Sequence, residues 1–258
     1  MRNYYRILSS YFKLAGVQSY CPVCQKFNAG FNPLPEFYKL NAEKYNFKYF
    51  SQVEMTAEDT YSCRNCGASD RERLYAWWLS EVISKTVLTK KLRAIHFAPE
   101  PALSEFIKSK NLFCTYHTAD LSMRDVDYTV DLLDLPFENE SYDFFICSHV
   151  LEHVTDDCKA ISELYRITKG KGMGILMVPI VQQLPTTIED PTILEESERW
   201  RLFGQYDHVR LYARNEFISR SISAGFSIVQ FDALYFGLRI FTKLGLKLSS
   251  VLYVVTKL

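Results

Sequence analysis

Residues 131–154 read DLLDLPFENESYDFFICSHVLEHV, and the prediction of the fold starts from these residues. Its centre, Asp143 to Cys147, is a short apolar run between polar residues, which is typical of a strand buried in a parallel sheet. Polar and ionisable side chains follow at once, beginning with Ser148 and His149. Because ligands bind at the carboxyl ends of strands in open α/β sheets, we expect the functional site here.

The residues that follow predict a helix and a second strand. From Asp156 onward apolar side chains recur at helical spacing, and Gly170 is placed to end the helix. Met173 to Val178 is another short apolar run, closed by Pro179, and predicts a buried strand. The order of strand, polar corner, helix and strand predicts a βαβ unit with its chemistry at the corner.

This stretch, together with AISELYRITKGKGMGILMVP at residues 160–179, resembles class I S-adenosylmethionine (SAM)-dependent methyltransferases between their third and fifth strands. The resemblance rests on the elements DLPF, SYD, HVLEHV and ELYR, which are spaced in the same order. It covers roughly residues 90–258, by the usual size of such a domain. It implies an α/β fold with a Rossmann-like sheet of seven strands, the last one antiparallel, and SAM as cofactor.

The loop after the first strand of this domain, predicted at residues 92–97, departs from the family pattern. The family has glycines in this loop, whereas this chain has HFAPEPA at residues 96–102. Ala98 is small, so the backbone can still come near a cofactor. Glu100 either interacts with the dipole of the helix predicted at residues 101–110 or receives the ammonium group of SAM.

Acidic residues follow the next two predicted strands. Asp120 lies where a carboxylate can accept hydrogen bonds from two ribose hydroxyls, the alternative being a solvated turn residue. By resemblance, Asp131 and Leu132 border the adenine. The cofactor-binding residues that we predict are Ala98, Glu100, Asp120, Leu121, Asp131, Leu132, Ser148 and His149.

Methyl transfer to a hydroxyl also requires a group that removes its proton. His149 is the first candidate base, the alternative being a packing or cofactor-contacting residue. Asp207 and His208 are the second candidates, within residues 181–213, which we predict to be a loop-like lid over the substrate (the lid segment). Arginines and aromatic side chains in the lid segment suit an acceptor with an anionic or sugar-like part. Alternatively, its charges pair with neighbouring glutamates and the segment is structural.

Two CxxC pairs lie in the N-terminal part of the chain, at Cys21, Cys24, Cys63 and Cys66. Four thiolates in such pairs can surround one structural Zn²⁺, the alternatives being free thiol pairs or a redox site. The predicted organisation is a helix and zinc-ribbon-like module over residues 1–68, a connecting helix over 69–90, and a SAM-binding methyltransferase domain over 91–258.

Thirty basic and thirty acidic residues give no net charge, which does not favour nucleic acid as the partner. No apolar run has transmembrane length, and the paired cysteines indicate a reducing compartment, hence the cytoplasm. We therefore predict a SAM-dependent methyltransferase that acts at oxygen or nitrogen of a small molecule or glycoconjugate. The alternatives are an RNA methyltransferase with a zinc module, which the basic N-terminal segment favours, and a non-catalytic module that keeps the fold, which the missing glycines favour. The oligomeric state is not indicated.

Overall fold

The computed structural model describes residues 18–83 and 92–258, so the helix predicted near the N-terminus falls outside the described residues. The helices are α1 (Glu36–Lys44), α2 (Asp70–Trp78), α3 (Pro101–Ser109), α4 (Asp157–Ile167), α5 (Glu196–Phe203), α6 (Arg214–Ser223), α7 (Ala233–Phe236) and α8 (Leu238–Leu244). A 3₁₀ turn spans Phe50–Gln52, and a π-helical turn, Leu79–Ile83, continues α2.

The strands form three sheets. They are β1 (Ser19–Cys21), β2 (Lys26–Asn28), β3 (Arg93–Phe97), β4 (Thr115–Asp120), β5 (Tyr128–Thr129), β6 (Tyr142–Ser148), β7 (Thr168–Met177), β8 (Ile180–Val181), β9 (Ile188–Glu189), β10 (Arg210–Ala213), β11 (Phe226–Phe231) and β12 (Leu252–Lys257). The main sheet has seven strands in the order β11-β12-β7-β6-β3-β4-β5. β12 is antiparallel to both of its neighbours, and the other pairings in this sheet are parallel. The predicted seven-stranded α/β sheet with an antiparallel last strand is confirmed.

The centre of the main sheet is β6, which lies between β3 and β7. Phe144, Phe145 and Ile146 in this strand are buried because helices and neighbouring strands cover both faces. Gly174 of β7 lies beside Phe145, and a Cβ atom at this glycine would be 2.3 Å from the phenyl ring. The close contact between these two strands therefore requires glycine here.

The helix after β6 ends earlier than the sequence predicted. Asp156 is its N-cap, and the side chain accepts a hydrogen bond from the amide of Lys159 at 2.9 Å. The helix ends at Ile167 and β7 begins at the next residue, so Gly170 lies inside a strand and its predicted role as a helix terminator is wrong. The Leu164 carbonyl accepts from both the amide and the hydroxyl of Thr168, the latter at 2.6 Å, so this helix closes without a glycine.

Residues 18–83, which precede the main sheet, form a small unit (the N-terminal unit) that shares the hydrophobic core of the main sheet. β1 and β2 make an antiparallel hairpin, and residues 29–62 lead from it to the second CxxC pair. Ser69 and Glu72 form a reciprocal capping box at the start of α2, and Trp78 of this helix stacks on Phe144 of β6 with ring centres 6.2 Å apart. Cys21 and Phe31 belong to the same buried cluster as the strands of the main sheet, so the N-terminal unit is fixed against them.

The lid segment is more regular than predicted, since it contains helix α5 and strands that pair into a three-stranded sheet, in the order β8-β10-β9. Its side chains form a second, smaller core with Val181, Phe203 and Leu211, against which Phe47 and Val53 of the N-terminal unit pack. Among the described residues, no helix has the length and apolar character needed to cross a membrane.

Candidate functional site

Two cavities meet at the carboxyl ends of the central strands. The larger has a volume of about 530 Å³ and the smaller about 260 Å³. His149 and His153 line both cavities, so the corner after β6 forms the boundary between them. A ligand in one cavity can thus lie next to a ligand in the other.

The larger cavity contains most of the predicted cofactor-binding residues. Those that line it are Ala98, Asp120, Leu121, Asp131, Leu132 and His149. They come from the ends of β3, β4 and β6 and from the turn after β5, positions brought together because these strands are parallel neighbours. These residues are up to 51 positions apart in the sequence, and the strand order of the sheet brings them around one cavity.

The carboxylates of Asp120 and Asp131 are held by backbone amides. Asp120 Oδ1 accepts hydrogen bonds from the amides of Ser122 and Met123 at 2.7 and 2.8 Å, and Asp131 Oδ1 accepts one from Leu133 at 2.8 Å. Each carboxylate keeps its other oxygen without a hydrogen bond to a described residue. Two fixed acceptors on a wall that also contains leucine side chains match the hydroxyls, amine and ring faces of a nucleoside. The residues present therefore fit an adenosyl group.

Two predicted cofactor residues lie elsewhere in the structure. Glu100 Oε2 lies 2.9 Å from His96 Nε2, and its other oxygen accepts from Arg71 Nε at 3.4 Å. Burial raises the pKa of Glu100, but the hydrogen bond and charge of His96, with the charge of Arg71, outweigh it and lower the pKa to about 2. Ser148 is buried, with its hydroxyl 3.1 Å from that of Tyr75. Neither residue lines the larger cavity.

The smaller cavity lies between the N-terminal unit and the lid segment. Its aromatic wall comes from residues between the two CxxC pairs and from the end of α5: Tyr38, Phe47, Phe50, Tyr61 and Phe203. Arg71, in the first turn of α2, adds one cationic group. An aromatic cavity with a guanidinium suits a small acceptor that has a planar or apolar body and an anionic group.

His149 stands at the boundary in a left-handed conformation. Its φ is +57°, an uncommon value for a residue other than glycine, and its amide donates to the Met177 carbonyl at 2.9 Å. Its Nδ1 atom lies 3.1 Å from Glu152 Oε1, while Nε2 is buried with no hydrogen-bond partner among the described residues. The backbone thus turns sharply after β6 and directs this imidazole to the boundary.

Glu152 is fully buried beside three histidines. Neither of its carboxylate oxygens is in hydrogen-bonding geometry with a described residue, although His149 is at ion-pair distance. Burial raises the pKa of Glu152, but the electrostatic and hydrogen-bonding interactions with His149, and more weakly with His153, outweigh burial and lower the pKa to about 2. The carboxylate is therefore ionised at neutral pH.

The other two histidines have partners from the lid segment. His153 Nδ1 lies 3.3 Å from Asp207 Oδ2, and His208 Nδ1 lies 3.3 Å from the Phe203 carbonyl. The rings of His153 and His208 meet edge to face, with centroids 4.7 Å apart. Burial lowers the pKa of His208 to about 4, so this imidazole is neutral at physiological pH. The predicted pair Asp207 and His208 thus joins His149 at the same boundary.

The arginines of the lid segment do not gather around the acceptor cavity. Arg199 donates to the Ile193 carbonyl at 2.8 Å, and Arg201 pairs with Glu198 on the surface at 2.6 Å. Arg210 is buried and donates through Nη1 to the carbonyls of Leu151 and Val154 at 2.5 and 2.6 Å. The Arg201–Glu198 pair is the kind of contact that the structural alternative predicted, whereas Arg199 and Arg210 bind backbone carbonyls, and Arg210 fixes the turn that carries Glu152 and His153.

The two CxxC pairs come together as predicted. The Sγ atoms of Cys21 and Cys66 are 3.7 Å apart, those of Cys24 and Cys63 are 3.8 Å apart, and all four lie within 4.8 Å of one another. Sulfurs around a tetrahedral Zn²⁺ at about 2.3 Å would be about 3.8 Å apart, so the residues present fit this ion. The amide of Asn65 points at Cys63 Sγ from 3.4 Å, a contact that stabilises a thiolate.

Four residues that line the cavities were not predicted from the sequence as site residues. They are Tyr38, Arg71, Glu152 and His153. For Glu152 and His153 there was a signal, because they follow His149 at the spacing of one helical turn. No comparable signal marks Tyr38, which reaches the cavity only through the fold of the N-terminal unit.

Comparison with known proteins agrees with this architecture. Residues 103–176 match a family model described as a methyltransferase domain. An uncharacterized protein of Methanocaldococcus jannaschii is 44% identical over 48 residues, which is 19% of this chain and 21% of that protein. The match thus spans about a fifth of the relative's length.

Several solved methyltransferases resemble the chain at low identity. A complex of the Trm112 methyltransferase activator with a methyltransferase from Haloferax volcanii gives 14% identity, 73% coverage of this chain, 92% of that chain and a TM-score of 0.47. A SAM-dependent methyltransferase from Thermotoga maritima is 19% identical. The match covers 73% of this chain and 99% of that chain, with a TM-score of 0.41. The methyltransferase CalH, solved with S-adenosylhomocysteine (SAH), is 14% identical. The match covers 73% of this chain and 59% of that chain, with a TM-score of 0.42. Taken with the strand order, the methyltransferase-domain match at residues 103–176 supports the fold of a class I SAM-dependent methyltransferase.

Proposed function

We propose that this protein is a SAM-dependent methyltransferase that methylates oxygen or nitrogen of a small acceptor bearing an anionic group. The observation that carries the proposal is the pair of cavities that meet at His149 and His153. One suits a nucleoside and the other a small aromatic or anionic molecule. A transferase needs a donor and an acceptor held in contact, and this arrangement provides adjacent volumes for both.

In the larger cavity, Asp120 would bind the ribose hydroxyls and Asp131 the adenine amine, with Leu121 and Leu132 against the ring faces. When bound, SAM supplies a methyl group on a positively charged sulfur. The amides that hold Asp120 and Asp131 keep the other carboxylate oxygens in fixed positions.

In the smaller cavity, Arg71 would bind the anionic group of the acceptor and the aromatic wall would hold its body. His149 Nε2 is at the boundary with no hydrogen-bond partner among the described residues, so it is available to take the proton of the reacting hydroxyl or amine. The lid segment would close this cavity through Phe203 and Gly204. A small acceptor suits a cavity of about 260 Å³ whose lining includes five aromatic side chains.

We further propose that the four cysteines hold one structural Zn²⁺. The ion would fix the ends of residues 29–62, which supply the aromatic wall of the smaller cavity. It would have no catalytic part, because four protein sulfurs leave no position open for a substrate.

The test is formation of SAH from SAM in the presence of two acceptor sets. The first contains small carboxylated or phosphorylated phenols, amines and sugars, and the second contains structured RNAs. We expect turnover with members of the first set and none with the second. An Arg71→Met variant should lose turnover with anionic acceptors while its SAM affinity stays within a fewfold of wild type. Turnover with RNA alone would overturn the acceptor class, and SAM binding without any turnover would favour a non-catalytic role.

A further inference from the structure

We infer that Glu152, His153 and His208 bind a divalent transition-metal ion at the boundary between the two cavities. One ligand atom from each of these side chains lies within 4.8 Å of the others. Two imidazoles and one carboxylate are a ligand set that binds Zn²⁺, Fe²⁺ or Mn²⁺ and leaves coordination positions open. This site is distinct from the four cysteines, which lie in the N-terminal unit.

The carboxylate of Glu152 is the first feature that indicates a metal ion. Glu152 is fully buried, and neither oxygen is in hydrogen-bonding geometry with a described residue, although His149 Nδ1 lies at ion-pair distance, 3.1 Å, from Oε1. A buried carboxylate without hydrogen bonds is costly, whereas a bound cation would satisfy both oxygens. His149 Nε2 and Asp207 Oδ1, which flank the cluster, are also buried without partners among the described residues. Four unsatisfied atoms in one place indicate a missing ligand.

The orientation of the two histidines is the second argument. A histidine that binds a metal ion through one nitrogen usually donates from the other nitrogen to a carboxylate or a backbone carbonyl. Here His153 Nδ1 faces the carboxylate of Asp207, and His208 Nδ1 faces the carbonyl of Phe203. Both contacts leave the Nε2 atoms for the ion, so the outer contacts of a metal site are already in place.

The position of the cluster indicates what the ion would do. All three side chains line the smaller cavity, and His153 also lines the larger one. An ion there would coordinate the reacting hydroxyl of the acceptor and, as a Lewis acid, would favour transfer of its proton to His149 Nε2. This role rests on the proposed function, whereas the binding of the ion does not.

Ligand atoms around one ion at about 2.1 Å are at most about 4.2 Å apart, so the side chains need only small rotations to close on it. His208 belongs to the lid segment, while Glu152 and His153 belong to the turn after β6. Binding of the ion would therefore join the lid segment to the main sheet.

The test uses full-length protein with its cysteines loaded with Zn²⁺, titrated with Mn²⁺ and followed by electron paramagnetic resonance of the free ion. Mn²⁺ prefers nitrogen and oxygen ligands, so it reports on this cluster and not on the thiolates. We expect one Mn²⁺ site per chain that excess Zn²⁺ displaces, because Zn²⁺ binds such ligands more tightly. Glu152→Gln and His208→Gln should each weaken Mn²⁺ binding at least tenfold. His117→Gln, whose imidazole contacts Tyr142 away from the cluster, is the matched control and should bind as wild type.

Thermal unfolding with and without Mn²⁺ gives a second readout that needs neither SAM nor an acceptor. The ion should raise the melting temperature of wild type and of His117→Gln, and not that of Glu152→Gln. If His208→Gln does not fold, the isosteric Glu152→Gln variant decides. Absence of Mn²⁺ and Zn²⁺ binding beyond the four cysteines, or binding that Glu152→Gln leaves unchanged, would overturn the inference. Either result leaves SAM binding, and hence the proposed function, as a separate measurement.

Discussion

Replacing Arg73 by methionine should strongly destabilise the protein, because this guanidinium joins the N-terminal unit to the C-terminal helices. Arg73 is fully buried and lies 3.8 Å from the centre of the Phe31 ring. Its nitrogens donate to five backbone carbonyls, namely Leu244 at 2.8 Å, Tyr61 at 2.9 Å, Ala68 at 3.0 Å, Thr60 at 2.5 Å and Gly245 at 3.4 Å. Methionine keeps most of the apolar stem and leaves these carbonyls without their donor.

A hydrogen bond to a charged group contributes about 1.5–3 kcal/mol, but the values do not add and partly buried carbonyls can bind water. Removing a buried charge also relieves its desolvation cost. We therefore expect a loss of about 3–5 kcal/mol in the free energy of unfolding, the usual cost of breaking a buried polar network. For a chain of this size, that lowers the melting temperature by about 6–20 °C.

The assay is urea denaturation followed by circular dichroism, with calorimetry as a second readout. Arg201→Met is the matched control, since Arg201 is exposed on α5 and pairs only with Glu198 among the described residues. Exposed pairs contribute little, so this variant should unfold like wild type. If Arg73→Met were as stable as Arg201→Met, the idea that Arg73 joins the two parts would be wrong.

Three further predictions test other parts of the structure. Cys63→Ser should contain one metal ion fewer per chain than wild type by elemental analysis, and equal metal content would exclude the four-cysteine site. Glu100 has a pKa lowered to about 2, so its ionised form contributes stability that is complete above its unfolded pKa of about 4.3 and is lost as the pH falls towards 2. The difference in free energy of unfolding between wild type and Glu100→Gln should therefore be larger at pH 6 than at pH 3. An equal difference at the two pH values would contradict this. Gly204→Ala should reduce acceptor turnover and leave SAM affinity unchanged, because φ at Gly204 is +83° and its Cβ atom would lie 2.7 Å from the Phe47 ring at the smaller cavity; parallel loss of both would mean that the cavities are not independent.

The main sheet was predictable because its strands are short apolar runs between turn residues. β3 was predicted to within one residue at its start, and β6 was predicted to within a residue at each end. The strand order depends on pairings between distant residues, which periodicity does not encode, so the resemblance supplied it. The helix end at Ile167 was misjudged because Thr168 closes this helix in an extended conformation, with its amide and hydroxyl both donating to the Leu164 carbonyl, so that no glycine is needed.

The smaller cavity was not predictable from the sequence. Its wall depends on contacts between residues 29–62 and the lid segment, such as Tyr45 stacked on Trp200 with ring centres 5.9 Å apart. Neither partner has a periodic pattern, and more than 150 residues separate them. Helix α5 was missed because its eight residues are highly charged, although the Phe203-Gly204 sequence at its end is a readable stop signal.

Isothermal titration of SAM into wild type and Asp120→Ala tests most directly whether the larger cavity binds SAM. If the larger cavity binds SAM, one SAM should bind per wild-type chain, and the assignment of Asp120 to the ribose makes a second prediction. It predicts roughly ten- to hundredfold weaker binding by the variant, since a charge-assisted hydrogen bond contributes about 1.5–3 kcal/mol. Lack of SAM binding by wild type at millimolar concentration, or equal affinity of the two proteins, would contradict the assignment of the larger cavity to SAM.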